Sequence, residues 1–306
     1  MHEDIKEALE ISHKYAEGFL DGGKVSEYIP GLATANPKHL GCAVMHKKEC
    51  YTIGECDIFF TIQSISKVIS LMYALKIFGY DVVFNKVGME PSGDPFNCFI
   101  KLETAGERPF NPFINAGAIT VISLLADNIH FNELMRFTCE IFGDDLTIDN
   151  DIFSQEMSVG KRNRSMAYLM SSKNAIGENI DLYLDYYFRL CAVNVTAKHL
   201  AYMGSILASG GKHPYNGQEI LSSQIVRITR AVMLTCGMYD GSGEFAVSVG
   251  LPAKSGIGGG IAASSVTSGG SFGIGSFGPA LDLKGNSIGG IKILQSLSDR
   301  LGLHLF

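Results

Sequence analysis

The chain has no CxxC pair, no run of lysines and arginines, no HExxH helix, no phosphate-cradling GxxxxGK[ST] loop and no internal repeat. Each absence removes a class of function. Seven scattered cysteines (42, 50, 56, 98, 139, 191 and 236) are odd in number and lack ligand spacing. Neither a disulfide framework nor a zinc site is expected, and a reducing cytoplasm suits them. Cys191 and Cys236 lie in apolar, helical text and read as core fillers. A net charge of −6 and a pI of 5.8 give no basic surface for nucleic acid or an anionic membrane. The polar, amphipathic start MHEDIKEALEISHKY lacks the apolar core of a secretory leader. No stretch approaches the ~20 apolar residues of a membrane-crossing helix, and the longest candidate, 114–126, has the length of a core helix. No cofactor is implied, because the glycines after position 255 fall in strand text, not ahead of a helix as a dinucleotide site requires.

What is present is enough apolar sequence, 46% of 306 residues, to bury a large core. Residues 3–20 have helical spacing and stop at Asp21-Gly22-Gly23. Residues 40–54 read as two short strands around a polar turn, with His46 solvated beside its lysines. An evenly apolar helix follows over 58–79. From Tyr80 to about Asn115 the text is rich in loops, and its phenylalanines (96, 99, 110 and 113) point to ordered packing. Helical patterns then recur at about 115–128, 131–142, 150–171, 178–191, 196–210 and 222–236. After Gly241, alternating glycine and apolar residues, beginning with EFAVSV, read as consecutive antiparallel strands, closed by an amphipathic helix around 291–301. The expected fold class is α+β: an antiparallel sheet from both ends of the chain with helices packed on it, and an all-helical lobe from the middle. We expect a single domain, 1–306, whose sheet lobe combines 1–79 with 241–306 and whose helical lobe is 80–240. The site is expected in the crevice between them.

Ser64 and Lys67 stand three apart at the mouth of the apolar helix. That spacing places both on one helix face. A helix N-terminus offers free amides beside the serine, and a buried lysine gives up its proton more easily. SxxK is the nucleophile and base signature of serine acyl-transfer enzymes such as β-lactamases and penicillin-binding proteins. Two further matches, Ser158 to Lys161 and Ser209 to Lys212, read as chance. Taken alone, Ser64 and Lys67 could equally be a helix cap and a snorkelling lysine. Lys254-Ser255-Gly256 shifts that balance. It is the single K[ST]G of the chain, it lies 187 residues after Lys67 at the end of an expected strand, and it repeats the SxxK-then-KTG order of the penicillin-recognising fold.

With both motifs in place, the chain resembles the serine-dependent glutaminases, which share the β-lactamase-like fold and hydrolyse L-glutamine to L-glutamate and ammonia. The resemblance runs almost end to end. It rests on GKVSEYIPGLA (23–33), QSISK (63–67), EPSGDPFN (90–97), NPFINAGAI (111–119), the 156–163 segment ending in KRN, DYYFRLC (185–191), CGMYDGSGEFA (236–246) and GLPAKSGIGGGI (250–261). It implies Ser64 as nucleophile and Lys67 as its base. Asn115, Glu156, Asn163, Tyr187 and Tyr239 match substrate-binding positions, and Tyr28 and Tyr239 match tyrosines of proton transfer. Ile257 stands where the family often has valine and uses the backbone amide. The family forms dimers and tetramers, so a homodimer or homotetramer is expected.

The residue types agree with the implied substrate. Free glutamine presents an ammonium, a carboxylate and an amide. Glu156 can pair the ammonium, while asparagine amides and tyrosine hydroxyls can bond the remainder. Glu156 and Asn163, seven apart, are expected two turns along one helix face. To act as a base, Lys67 must fall from about 10.4 to near 7, a differential cost of roughly 4 kcal/mol that burial can supply. A β-lactamase or peptidase of the same fold shares both motifs, although most penicillin-recognising enzymes act outside the cytoplasm. A binding module that has lost catalysis is the other alternative.

Overall fold

The computed structural model describes residues 4–92 and 108–306. Residues 93–97 of the EPSGDPFN motif, Phe96 among them, and Cys98 and Phe99 lie outside the described residues.

Eleven helices and seven strands are described. Helix α1 (Ile5–Glu17), capped by Asp4, leads through a loop to strands β1 (Gly41–His46) and β2 (Glu49–Gly54). Their turn places both Lys47 and Lys48 at positive φ, the geometry that lets a two-residue hairpin follow the strand twist. Strand β3 (Phe60–Thr61) precedes α2 (Ser66–Lys86), whose helical path is interrupted at Gly79. Then come α3 (Asn115–Ala126), α4 (Phe131–Phe142), α5 (Asn150–Val159), α6 (Lys161–Ser172) and α7 (Ile180–Cys191). Strand β4 (Asn194–Val195), α8 (Ala197–Ala208), α9 (Ser223–Cys236) and α10 (Ser242–Ser248) follow. Strands β5 (Ala253–Ser255), β6 (Gly260–Thr267) and β7 (Gly270–Phe277) and helix α11 (Ile288–Leu301) complete the chain.

The main sheet has the order β2-β1-β7-β6-β5 and is antiparallel throughout. Successive side chains of a strand point to opposite faces, and here both faces are buried. Cys42 and Val44 of β1, Ile261 of β6 and Ile274 of β7 pack with Leu9 of α1 and Ile293, Leu294 and Leu297 of α11. Ala43, Met45 and Ala262 face the other way, into a core shared with α2, α3, α7 and α8. On that side, β7 presents Gly273 and Gly275 to α8. A methyl group at either would overlap main-chain atoms of Ala197, Ala201 or Ser205, so α8 lies directly on the strand backbone.

Several expectations need correction. His46 is not solvated: it is buried, stacks on Phe272 across the β1–β7 pair at 4.2 Å between ring centroids, and its Nδ1 lies 3.1 Å from the Ser271 carbonyl. EFAVSV is not a strand but most of α10, because a short alternating run does not distinguish strand from helix. The 150–171 pattern is two helices, α5 and α6, that meet at Gly160. Helix α2 continues past Gly79 into text read as loop. Among the described residues, 63–86 is the one helical stretch long and apolar enough to cross a membrane. Its residues from Ser66 to Leu75 are buried against other elements, as expected of a core helix.

Candidate active site

Strand β3 pairs with β4, and the Ile62 amide bonds the Val193 carbonyl at 2.8 Å, so the chain enters the site from a fixed direction. Gln63 then takes φ of 50°, and a single 3-10 turn, Gln63–Ile65, carries Ser64 to the start of α2. A positive φ at a residue other than glycine costs on the order of 1–3 kcal/mol and persists where its surroundings enforce it. Here Gln63 is buried, its amide donating to Thr61 Oγ1 at 3.1 Å and its side chain also bonding Glu156. Lys67, one turn beyond Ser64, is 1% exposed. Its Nζ donates to Asn115 Oδ1 at 2.5 Å and to the Phe113 carbonyl at 3.3 Å. Burial lowers the Lys67 ammonium to about 8, with Cys191 and Glu156 acting in the opposite direction. Because burial also pushes the Cys191 thiol up to about 12, that group is uncharged at neutral pH, and Glu156 is the neighbouring charge that matters.

These groups open on a cavity of about 510 Å³. Ser64, Asn115 at the start of α3, Glu156 of α5, Asn163 of α6, Tyr187 of α7, Tyr28 of the N-terminal loop and Ile257 beyond β5 all line it. Asn115 Nδ2 donates to Asn163 Oδ1 at 3.0 Å, so one amide joins Lys67 on its oxygen side to Asn163 on its nitrogen side. Glu156 is 3% exposed. Burial raises its carboxyl to about 7, against the lowering effects of Lys67 and the Gln63 hydrogen bond. The Tyr187 phenol is raised by burial, and that of the rim residue Tyr28 by burial and then the charge of Glu156. Tyr239 does not line this cavity. It walls a neighbouring one of about 470 Å³, takes φ of 50°, and turns its hydroxyl toward Ser64 and the Ile257 backbone. Burial raises its phenol, and those two contacts lower it.

Glu156 and Asn163 do not share a helix face as expected. They sit on separate helices, and the bend at Gly160 is what brings both to the cavity. The second SxxK, Ser158 to Lys161, straddles this bend, while Ser209 caps a turn by donating to the Lys212 carbonyl at 2.7 Å. Gln63, the first residue of QSISK, has no sequence signal that marks it as part of the site beyond its place in that motif. Arg162, Lys24 and the 281–285 loop, not expected in the site, also stand at the cavity wall, and Cys191, expected as a core filler, is buried in the main core and lines the cavity as well. Among the described residues, no three His, Cys, Asp or Glu side chains gather as a metal site.

A buried serine–lysine pair at the foot of a core helix, beside the KSG strand of an antiparallel sheet, has the layout of the β-lactamase-like fold, and the relatives of the chain make it an amidohydrolase. The chain belongs to the glutaminase family, whose family model matches residues 23–306. It is 45% identical to glutaminase 2 of Clostridium perfringens over 309 residues, spanning 99% of this chain and 100% of that one. It is 43% identical to a glutaminase of Clostridium botulinum over 312 residues, spanning both chains in full. Among solved structures, it resembles a probable glutaminase from Bacillus subtilis complexed with 6-diazo-5-oxo-L-norleucine. The TM-score is 0.90 at 33% identity, over 100% of this chain and 98% of that one. It also resembles Mglu in its glutamate form, with a TM-score of 0.92 at 35% identity, over 100% of this chain and 70% of that one.

Proposed function

We propose that this chain hydrolyses L-glutamine to L-glutamate and ammonia through a glutamyl ester on Ser64. The observation that carries the reading is the buried carboxylate of Glu156, set across one cavity from a buried serine–lysine pair. That layout suits a small amino acid whose ammonium pairs with Glu156 while its side-chain amide reaches Ser64. Neutral Lys67 takes the Ser64 proton as the serine oxygen attacks the amide carbon. The oxyanion is held by the backbone amides of Ser64 and Ile257, a geometry in which fixed donors act most strongly. Collapse expels ammonia, its proton supplied through Lys67, Tyr28 or Tyr239, and water attacks the ester to release glutamate. Asn115, Asn163 and Tyr187 bond the carboxylate and orient the amide.

Related features of the reading are proposals of the same kind. A core that runs without a break from one face of the sheet into α2, α3, α7 and α8 supports one domain, 1–306. The six described cysteines are free thiols, which supports a reducing cytoplasm. A homodimer or homotetramer follows from the family resemblance, and sedimentation of the purified chain tests it.

The deciding experiment measures ammonia and glutamate released from L-glutamine, beside Ser64→Ala and with L-asparagine and nitrocefin as competing substrates. Glutamine-selective release that Ser64→Ala abolishes is the expected result. Nitrocefin turnover without glutamine turnover would replace the reading by a β-lactamase. Glutamate binding without any release would replace it by a binding module.

A further inference from the structure

Lys254 is fully buried in β5, and among the described residues no carboxylate pairs with it. An unpaired lysine in that position is costly to keep. Burial, followed by the like charge of Lys67, holds its ammonium well below the usual lysine range. Its surroundings show what the side chain does. Nζ donates to the carbonyl of Ser255, the next residue, at 2.6 Å. The amide on the other side of that same peptide unit, Gly256 N–H, donates to the Gly260 carbonyl at 3.0 Å. The Ser255–Gly256 peptide plane is thus tied at both edges, and the following residue is Ile257. A Cβ built on Gly256 would lie 2.7 Å from the Ile62 carbonyl and 3.4 Å from the Ser64 amide nitrogen, so this plane packs on the turn that carries Ser64.

The same amine group stands 4.4 Å from the centroid of the Tyr239 ring and 5.9 Å from that of Phe113. Tyr239 needs such support, because a tyrosine at φ of 50° sits in a sparsely populated conformation. Its carbonyl accepts from Ser242 Oγ at 2.9 Å, which fixes the main chain, and the Lys254 amine fixes the ring. Phe113 joins the two lysines: its carbonyl accepts from Lys67, and its ring faces Lys254.

We infer that Lys254 is a positioning residue: one amine fastens the Ser255–Gly256 peptide, the unit just before the one that carries the Ile257 amide, and braces the ring that presents the Tyr239 hydroxyl, without touching substrate. The inference rests on the proposed roles of Ser64, Ile257 and Tyr239. It assigns Lys254 to the transition state and not to ground-state binding, because the two groups it places act on the reacting atoms.

The test is Lys254→Met, which fills nearly the same volume without a donor. The expected result is a kcat lower by about 10²-fold, comparable to loss of one oxyanion donor. The KM for L-glutamine and the Kd for L-glutamate should stay within about threefold and the Tm within a few degrees. Combined with Tyr239→Phe, the losses should be less than multiplicative, since the lysine acts partly through that ring. A methionine variant with kcat within twofold of wild type, or one whose kcat loss multiplies fully with that of Tyr239→Phe, overturns the inference. If Lys254→Met does not fold, Lys254→Arg decides. It retains donors, and kcat within tenfold of wild type supports the inference, whereas a larger loss at unchanged Tm overturns it. Ser64→Ala, measured in parallel, tests the nucleophile separately: turnover surviving in that variant would remove the underlying reading whatever Lys254 does.

Discussion

Lys67 and Asn115 are joined by a hydrogen bond of 2.5 Å, the lysine amine donating to the asparagine oxygen. A neutral amine has two N–H groups and one lone pair. Asn115 Oδ1 and the Phe113 carbonyl provide acceptors for both N–H groups, which turns the lone pair toward a third direction. Asn115→Leu removes one acceptor and the link to Asn163 together. A fall in kcat/KM of about 10²-fold, with both kcat and KM affected, is expected from steady-state kinetics.

The pH profile follows from two groups. The proposed base must be neutral, and burial brings Lys67 to about 8; the proposed ammonium partner must be charged, and burial brings Glu156 to about 7. Both conditions improve as pH rises. The acid limb of kcat/KM should therefore climb between about pH 7 and 8, later than an unperturbed carboxylate would give. Lys67→Arg, which cannot deprotonate, should be inactive across this range. A rate flat from pH 5 to 9 would remove Lys67 and Glu156 from these roles.

Glu156 also bears on stability. Its folded pKa lies above the unfolded value, so the folded chain binds the proton more tightly. Stability is greatest below the unfolded value and declines as pH rises through about 7. Glu156→Gln removes the buried charge. It should raise stability at pH 8 by up to about 3 kcal/mol, change it little at pH 4, and weaken glutamate binding. Thermal melts at the two pH values, with calorimetric titration of glutamate, check both halves.

Position 257 separates backbone from side chain. Ile257→Val should keep kcat within about twofold, because the proposed oxyanion donor is the amide, whereas Ile257→Pro should lower kcat by about 10²- to 10³-fold. If valine and proline were equally tolerated, the oxyanion assignment would fail.

Much of the fold was legible because the hairpin brackets a polar turn and the helices repeat apolar residues at helical spacing. The hairpin at β1 and β2, helices α7 to α9 and the closing helix stand close to where the sequence places them. Helix α10 was misread because seven residues hold too few turns to separate the two periodicities. Ser64 and Lys67 were legible as a local pair, since a single helical turn relates them. Glu156 and Asn163 were proposed from the family resemblance but joined by the wrong geometry, because a single glycine inside a continuous helical pattern does not announce a bend. Gln63 and the bracing of Tyr239 depend on backbone angles and long-range contacts, for which no local pattern exists.

The glycine face of β7 decides more than how closely one helix packs. The nearest atoms opposite Gly273 and Gly275 are main chain, so trimming a neighbouring side chain cannot make room there, and the separation of α8 from the sheet is a fixed length. Strand β4 leads directly into α8, and its partner β3 leads directly into Gln63 and Ser64. The five-stranded sheet carries Lys254 in β5, and the chain leaving that strand brings Gly256 and Ile257 against the Ser64 turn. The glycines therefore act as a gauge block: they set the span across which the Ser64 turn and the Ile257 amide must meet, and the side chains between are cut to that span.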